Sequence, residues 1–200
     1  MGVGTALQRA NGIEDSVEHA LHEYLLANRW EVAAGPARRF ISEAGPTIDW
    51  LAELGVPFEP WVFPAGQEAV PHGHMVRGSG AGLVEALHAA CKDRDIDIAL
   101  GRRVDRLLTD GDRVAGVAVG ADEITAGATV VASGGFCANP ERIAQWWPDG
   151  LAGGDWTYYI AGDGAPGSRG DALDLGAEVG AAVAGHNRGL RLLHTGFHRD

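Results

Sequence analysis

The run Ala128-Thr129-Val130-Val131-Ala132, ending at once in Ser133-Gly134-Gly135, constrains this chain more than any other feature. Five uncharged residues with β-branched side chains at the centre read as a short strand covered on both faces, as inside an α/β layer. Two glycines at its carboxyl end remove side chains at the place where ligands of open α/β sheets gather. The expectation is a cofactor approach at that strand end, weighed against a plain structural turn. Thirty glycines among 200 residues suit close backbone approaches of this kind, since ordinary usage is about half that.

The segments around this run supply helices and a hairpin. Asp15 and Glu18 are spaced as a capping box, and Val17, Ala20, Leu21, Tyr24 and Leu25 form one helical stripe. A second helix is expected from Pro36, interrupted at Gly45-Pro46. A third carries Ile48, Trp50, Leu51 and Leu54 to a stop at Gly55. Residues 56 to 82, rich in Pro and Gly, read as an extended crossing. Leu83, Leu87, Ala90 and Cys91 mark one face of the next helix, and Ile96, Ile98 and Leu100 alternate like a half-buried strand. Val104 to Leu108 and Val114 to Val119 flank Asp110-Gly111 as a tight hairpin. Asn139-Pro140-Glu141 opens a helix, and a small-residue helix follows Gly170.

Charge and composition remove several function classes. Sixteen Lys and Arg against 27 Asp and Glu leave a net charge of −11 without any basic cluster, which excludes a surface built for nucleic acid. No apolar run approaches the ~18–20 residues of a membrane span, and no leader pattern precedes the first helix. Cys91 and Cys137 cannot build a disulfide framework, so a cytoplasmic protein is expected.

Four further groups are weighed as sites. Gly78-Ser79-Gly80-Ala81-Gly82 offers backbone N–H groups at a helix start, but Leu83 stands where a dinucleotide fingerprint needs its last Gly. Gly170-Asp171 lies at another helix start, where Asp171 reads as a cap. His72 and His74 are too few for a metal centre and read as exposed loop residues. The six tryptophans are expected in a core or a lid.

These signals follow one another in a recognisable order: Arg77-Gly78-Ser79-Gly80-Ala81-Gly82, Asp97-Ile98-Ala99-Leu100, Arg103-Val104, Arg113-Val114-Ala115-Gly116-Val117, Val130 to Phe136, Asn139-Pro140-Glu141-Arg142, Trp147-Pro148 and Gly170-Asp171-Ala172-Leu173. The series resembles the flavoproteins of the fumarate reductase, succinate dehydrogenase and 3-ketosteroid dehydrogenase family, over nearly the whole chain. The resemblance implies an α/β fold: a partial FAD-binding domain with a Rossmann-like, glutathione-reductase-like parallel sheet and an inserted β-hairpin. A helical and loop segment, 1–82, precedes the cofactor-binding part, 83–200.

The resemblance also implies FAD and hydride transfer across a carbon–carbon bond next to a carbonyl or carboxylate of a small-molecule substrate. It places a backbone group of Val104 at the adenine, and Ala132, Ser133, Gly134 and Gly135 along the cofactor. Gly170 and Asp171 fall beside the flavin, with Ala172 replacing a family glycine. Gly78 and Gly80 belong to a loop near the isoalloxazine. His194 and Arg191 are the nearest counterparts of substrate-side residues. The family's opening strand and Gly-x-Gly-x-x-Gly turn have no match in Met1-Gly2-Val3-Gly4, so the expectation is a central segment without that unit or the substrate cap. The other reading is a non-catalytic module that pairs with a partner chain supplying the remaining strands.

Overall fold

The computed structural model describes residues 2–64, 68–153 and 167–187. They gather into two compact units, Met1–Ile98 and Ala99–Asp200.

The first unit contains α1 (Ala6–Ala10), α2 (Val17–Ala27), α3 (Ala34–Glu53), β1 (Phe58–Phe63), β2 (Gly73–Val76) and α4 (Ser79–Lys92). Its core is the expected stripe of α2, where Ala20, Leu21 and Leu25 bury against Ala37 and Ile41 of α3 and against Val3. The cap of α2 is Ser16 rather than Asp15. The Ser16 hydroxyl accepts from the His19 amide at 3.2 Å, while the Asp15 side chain turns inward. The two helices expected on either side of Gly45-Pro46 are one continuous helix. Pro46 removes a single backbone donor from it, and Gly45 is required by a close approach, because a Cβ there would sit 1.9 Å from the Val3 carbonyl oxygen. Gly55, at φ +92°, ends the helix as expected. The crossing after it is not wholly irregular. β1 and β2 pair antiparallel, Phe58 opposite Val76 and Phe63 opposite Gly73, with a register irregularity between them. Pro60 inside β1 hides this ribbon from the sequence pattern. α4 starts within the glycine cluster at Ser79, four residues before the apolar face begins.

The second unit contains β3 (Arg106–Asp110), β4 (Arg113–Val119), β5 (Asp122–Thr125), α5 (Pro140–Trp146), a 3-10 turn at Pro148–Gly153 and α6 (Asp171–Glu178). The hairpin forms with Asp110 opposite Arg113, so Gly111 and Asp112 make the turn and Gly111 takes φ +60°. β5 extends the hairpin to a three-stranded antiparallel meander, Val119 opposite Asp122.

Two expectations fail here. Ile96, Ile98 and Leu100 form no strand, and Leu100 is 82% exposed. Residues 128–132 likewise form no strand, and Val130 is 87% and Val131 43% exposed, so this segment is not covered on both faces. Among the described residues both sheets are antiparallel, and the parallel sheet implied by the resemblance is absent. Among the described residues no strand runs beside 128–132. The backbone of 128–132 therefore joins no ladder of the described strands, and Val130 is left open to solvent. Among the described residues no helix is long and apolar enough to cross a membrane.

Candidate functional site

A cavity of about 230 Å³ lies in the second unit. Leu107 of β3 and Val117 of β4 stand opposite each other in the ladder, so both side chains share the face that lines it. Arg103 and Val104 approach from the segment before β3, and Thr129 to Ser133 run along another wall. α6 contributes Asp171 and Leu175. The Arg103 guanidinium donates from Nη2 to Asp171 Oδ1 at 2.9 Å. Beside these groups the Thr129 hydroxyl oxygen is buried and has no hydrogen-bond partner.

The glycine loops after residues 132 and 167 are joined by their backbones. Gly170 N–H donates to the Gly135 carbonyl at 3.0 Å, and Ala138 N–H to the Ser168 carbonyl at 3.0 Å. Asn139 adds a third link. Its Oδ1 accepts from the Glu141 and Arg142 amides at the start of α5, while its Nδ2 donates to the Arg169 carbonyl at 3.1 Å. Arg142 in turn pairs with Asp174 of α6. Gly170 has φ +95°, and a Cβ there would meet Phe136 Cβ at 3.2 Å, so the loops pack this closely only with glycine. A Cβ at Gly135 would point into open space.

The structure therefore brings Val104, Ala132, Ser133 and Asp171 onto one cavity and sets Gly134, Gly135 and Gly170 in the loop pair beside it. Asp171 does not cap α6. Gly170 holds the cap position and Asp171, in the first turn, faces Arg103. Gly78 and Gly80 lie in the first unit, at the start of α4. Gly78 takes φ +79°, and a Cβ at Gly80 would meet no other atom. His194 and Arg191 lie outside the described residues.

The first unit holds a second polar cluster. His72 is 1% exposed, not the surface residue expected from a Pro- and Gly-rich segment. Its Nε2 donates to Asp15 Oδ2 at 2.5 Å, and Asp15 Oδ1 accepts from His19 Nδ1 at 2.9 Å. Burial alone would raise Asp15, but hydrogen bonds from His72, His19 and the Ser16 amide hold its carboxyl below the usual range. The same contact raises His19. Burial pushes His74 down; its Nδ1 donates to the His72 carbonyl at 2.9 Å, and its Nε2 faces the Thr5 hydroxyl at 2.8 Å.

Arg103, Leu107 and Thr129 were not among the site residues read from the sequence. Leu107 was legible as part of the hairpin. Nothing local marks Arg103, whose partner is 68 residues away.

Known proteins are similar to this chain. The chain is similar to the NADH:fumarate oxidoreductase of Klebsiella pneumoniae (strain 342), 33% identical over 153 residues that cover 72% of this chain and 16% of that protein. It is similar to a KsdD-like steroid dehydrogenase of Mycobacterium tuberculosis, 29% identical over 181 residues, 73% of this chain and 32% of the other. Among solved structures, the open conformation of a flavocytochrome c3 fumarate reductase superposes with a TM-score of 0.75 at 25% identity, over 90% of this chain and 32% of that one. A 3-ketosteroid dehydrogenase from Rhodococcus jostii RHA1 shares the fold, with a TM-score of 0.72 at 23% identity. The chain thus spans less than half of the length of each of these proteins. With residues 2–188 matched by the model of the FAD binding domain family, the chain belongs to that family and its cofactor is FAD.

Proposed function

We propose that this chain is the cofactor-holding part of an oxidoreductase that moves hydride across a carbon–carbon bond beside a carbonyl or carboxylate, and that the second unit's cavity takes the adenosine end of FAD. The observation that carries the reading is the convergence of Val104, Ala132, Ser133 and Asp171 on one cavity. Its volume, about 230 Å³, is below the ~300–1,000 Å³ of sites that enclose a whole drug-sized ligand, which suits one end of a dinucleotide. The residues fit that end chemically. Aliphatic walls suit the faces of a purine, and the unpartnered Thr129 hydroxyl and the unpaired backbone of 129–133 offer hydrogen bonds to its edge. On this reading Asp171 serves the adenosine end rather than the flavin side that the resemblance implies.

When bound, the isoalloxazine of FAD supplies the hydride chemistry. The residues of this chain bind and orient: the loop pair of Gly134, Gly135 and Gly170 lets backbone approach, and the Asn139 links keep both loops in register. The carbon–carbon substrate class rests on the relatives named for fumarate and steroids. A cytoplasmic setting, expected from the cysteine count alone, belongs to this proposal. Equilibrium dialysis of FAD against the chain tests the cofactor reading. Weak, saturable uptake that AMP displaces is expected, and uptake that AMP leaves untouched would overturn the adenosine assignment.

A partner-binding role is the second reading, favoured by the unpaired segment 128–132 with its exposed Val130 and Val131. It expects Val130→Lys to lower self-association in sedimentation without changing the unfolding midpoint. Equal sedimentation of both forms would count against it.

A further inference from the structure

We propose that Arg103 is a stacking platform for the adenine ring, its guanidinium hydrogen-bonded to Asp171 at the cavity wall. The inference rests on the adenosine reading of that cavity. Arg103 and Asp171 both line it, and their 2.9 Å hydrogen bond ties the segment before β3 to the first turn of α6. Among the described residues no aromatic side chain lines the cavity; its apolar wall is built from residues such as Val104, Leu107, Val117 and Leu175. A purine entering it meets aliphatic groups on one face and has one extended planar cation available for the other. A guanidinium is flat and weakly hydrated and stacks on aromatic faces, where a lysine ammonium offers only a point charge. Asp171 offsets the charge of Arg103, which weakens its pull on a phosphate and leaves its plane as the feature presented to a ligand. The Arg103 side chain is 68% exposed, and its single hydrogen bond to Asp171 biases where the guanidinium lies without locking it.

The test titrates the isotope-labelled full chain with adenosine, which is neutral, and with AMP. Adenosine is expected to shift the Val104 and Leu107 amides and to move the Arg103 δ protons upfield through the ring current. Arg103→Ala is expected to weaken adenosine about fivefold, and Arg103→Lys to lose as much, because it keeps the charge and not the plane. Adenosine binding that survives in Arg103→Lys overturns the proposal, as does a loss confined to AMP, which would make Arg103 a phosphate contact. If Arg103→Ala does not fold, Arg103→Lys and the ring-current shift of the unaltered chain decide. Unchanged affinity in either variant, with the cavity amides still responding, overturns the stacking role and leaves the cavity reading intact. Cavity amides indifferent to adenosine in the unaltered chain overturn the cavity reading and this proposal together.

Discussion

Asp15 shows how far a residue's role depends on what folds against it. By spacing it is a helix cap, but Ser16 takes the cap and Asp15 becomes the shared acceptor of His72 and His19. Removing Asp15 takes the short contact from His72 Nε2 and leaves that ring, among the described residues, only Glu68, 3.6 Å from Nδ1; breaking a buried pair of this kind typically costs about 3–5 kcal/mol. Asp15→Ala is therefore expected to lower the unfolding free energy from urea denaturation by an amount in that range, and a loss below about 1 kcal/mol would mean His72 finds another partner. The pH dependence follows from the same groups. Asp15 is held below its ordinary value, so its contribution is complete above the ordinary carboxylate range and is lost as acid protonates it in the folded state. His74 is also lowered, so it favours the fold above its ordinary value near 6.5 and loses that contribution as pH falls through its lower folded value. His19 is raised and acts in the opposite sense, its contribution present below 6.5 and lost as pH rises, but it is exposed and its ion pair carries little weight. Stability should thus decline from neutral pH towards pH 5 and fall more steeply below about pH 4. Denaturation curves across that range check this, and His74→Gln should flatten the upper part of the decline.

At the scale of elements, the junction of α5 with the two glycine loops is the most specific arrangement in the second unit. Asn139 caps α5 with Oδ1 and holds the Arg169 carbonyl with Nδ2, so one side chain serves a helix and a loop pair. Asn139→Ala is expected to cost about 1 kcal/mol as a lost cap, and to weaken FAD as well if the loops hold it. A stability loss with FAD affinity unchanged would separate the loops from the cofactor. This junction was legible as a cap, from Asn139-Pro140-Glu141, but not as a link, because the bonds to Ser168 and Arg169 span about 30 residues. The stripe of α2, the Gly55 stop and the β3–β4 hairpin were legible because each is decided by residues within a few positions of one another. The continuous α3 was not. Local rules stop a helix at Gly45-Pro46, whereas the close approach of Val3 gives that glycine a packing role inside one. Residues 128–132 have the composition of a covered strand, yet a strand needs a neighbour, and composition cannot supply one.

For the whole molecule, the order of weak motifs carried more than any single one. None of the glycine clusters is diagnostic alone, but their succession matched the family to which residues 2–188 belong. The resemblance named Val104, Ala132, Ser133 and Asp171 singly, with Val104 at the adenine and Asp171 beside the flavin, and their meeting on one cavity was not anticipated. Arg103 and Thr129 were not named as site residues, because a cavity wall is assembled from distant segments. The central claim is that this cavity holds the adenosine end of FAD, and flavin fluorescence tests it directly. In free FAD the adenine folds onto the isoalloxazine and quenches its emission, so drawing the adenine away should raise it. The account predicts a saturable rise when the chain is added to FAD and no change when it is added to FMN, which has no adenine. Equal responses from both flavins, or none from FAD, would contradict it.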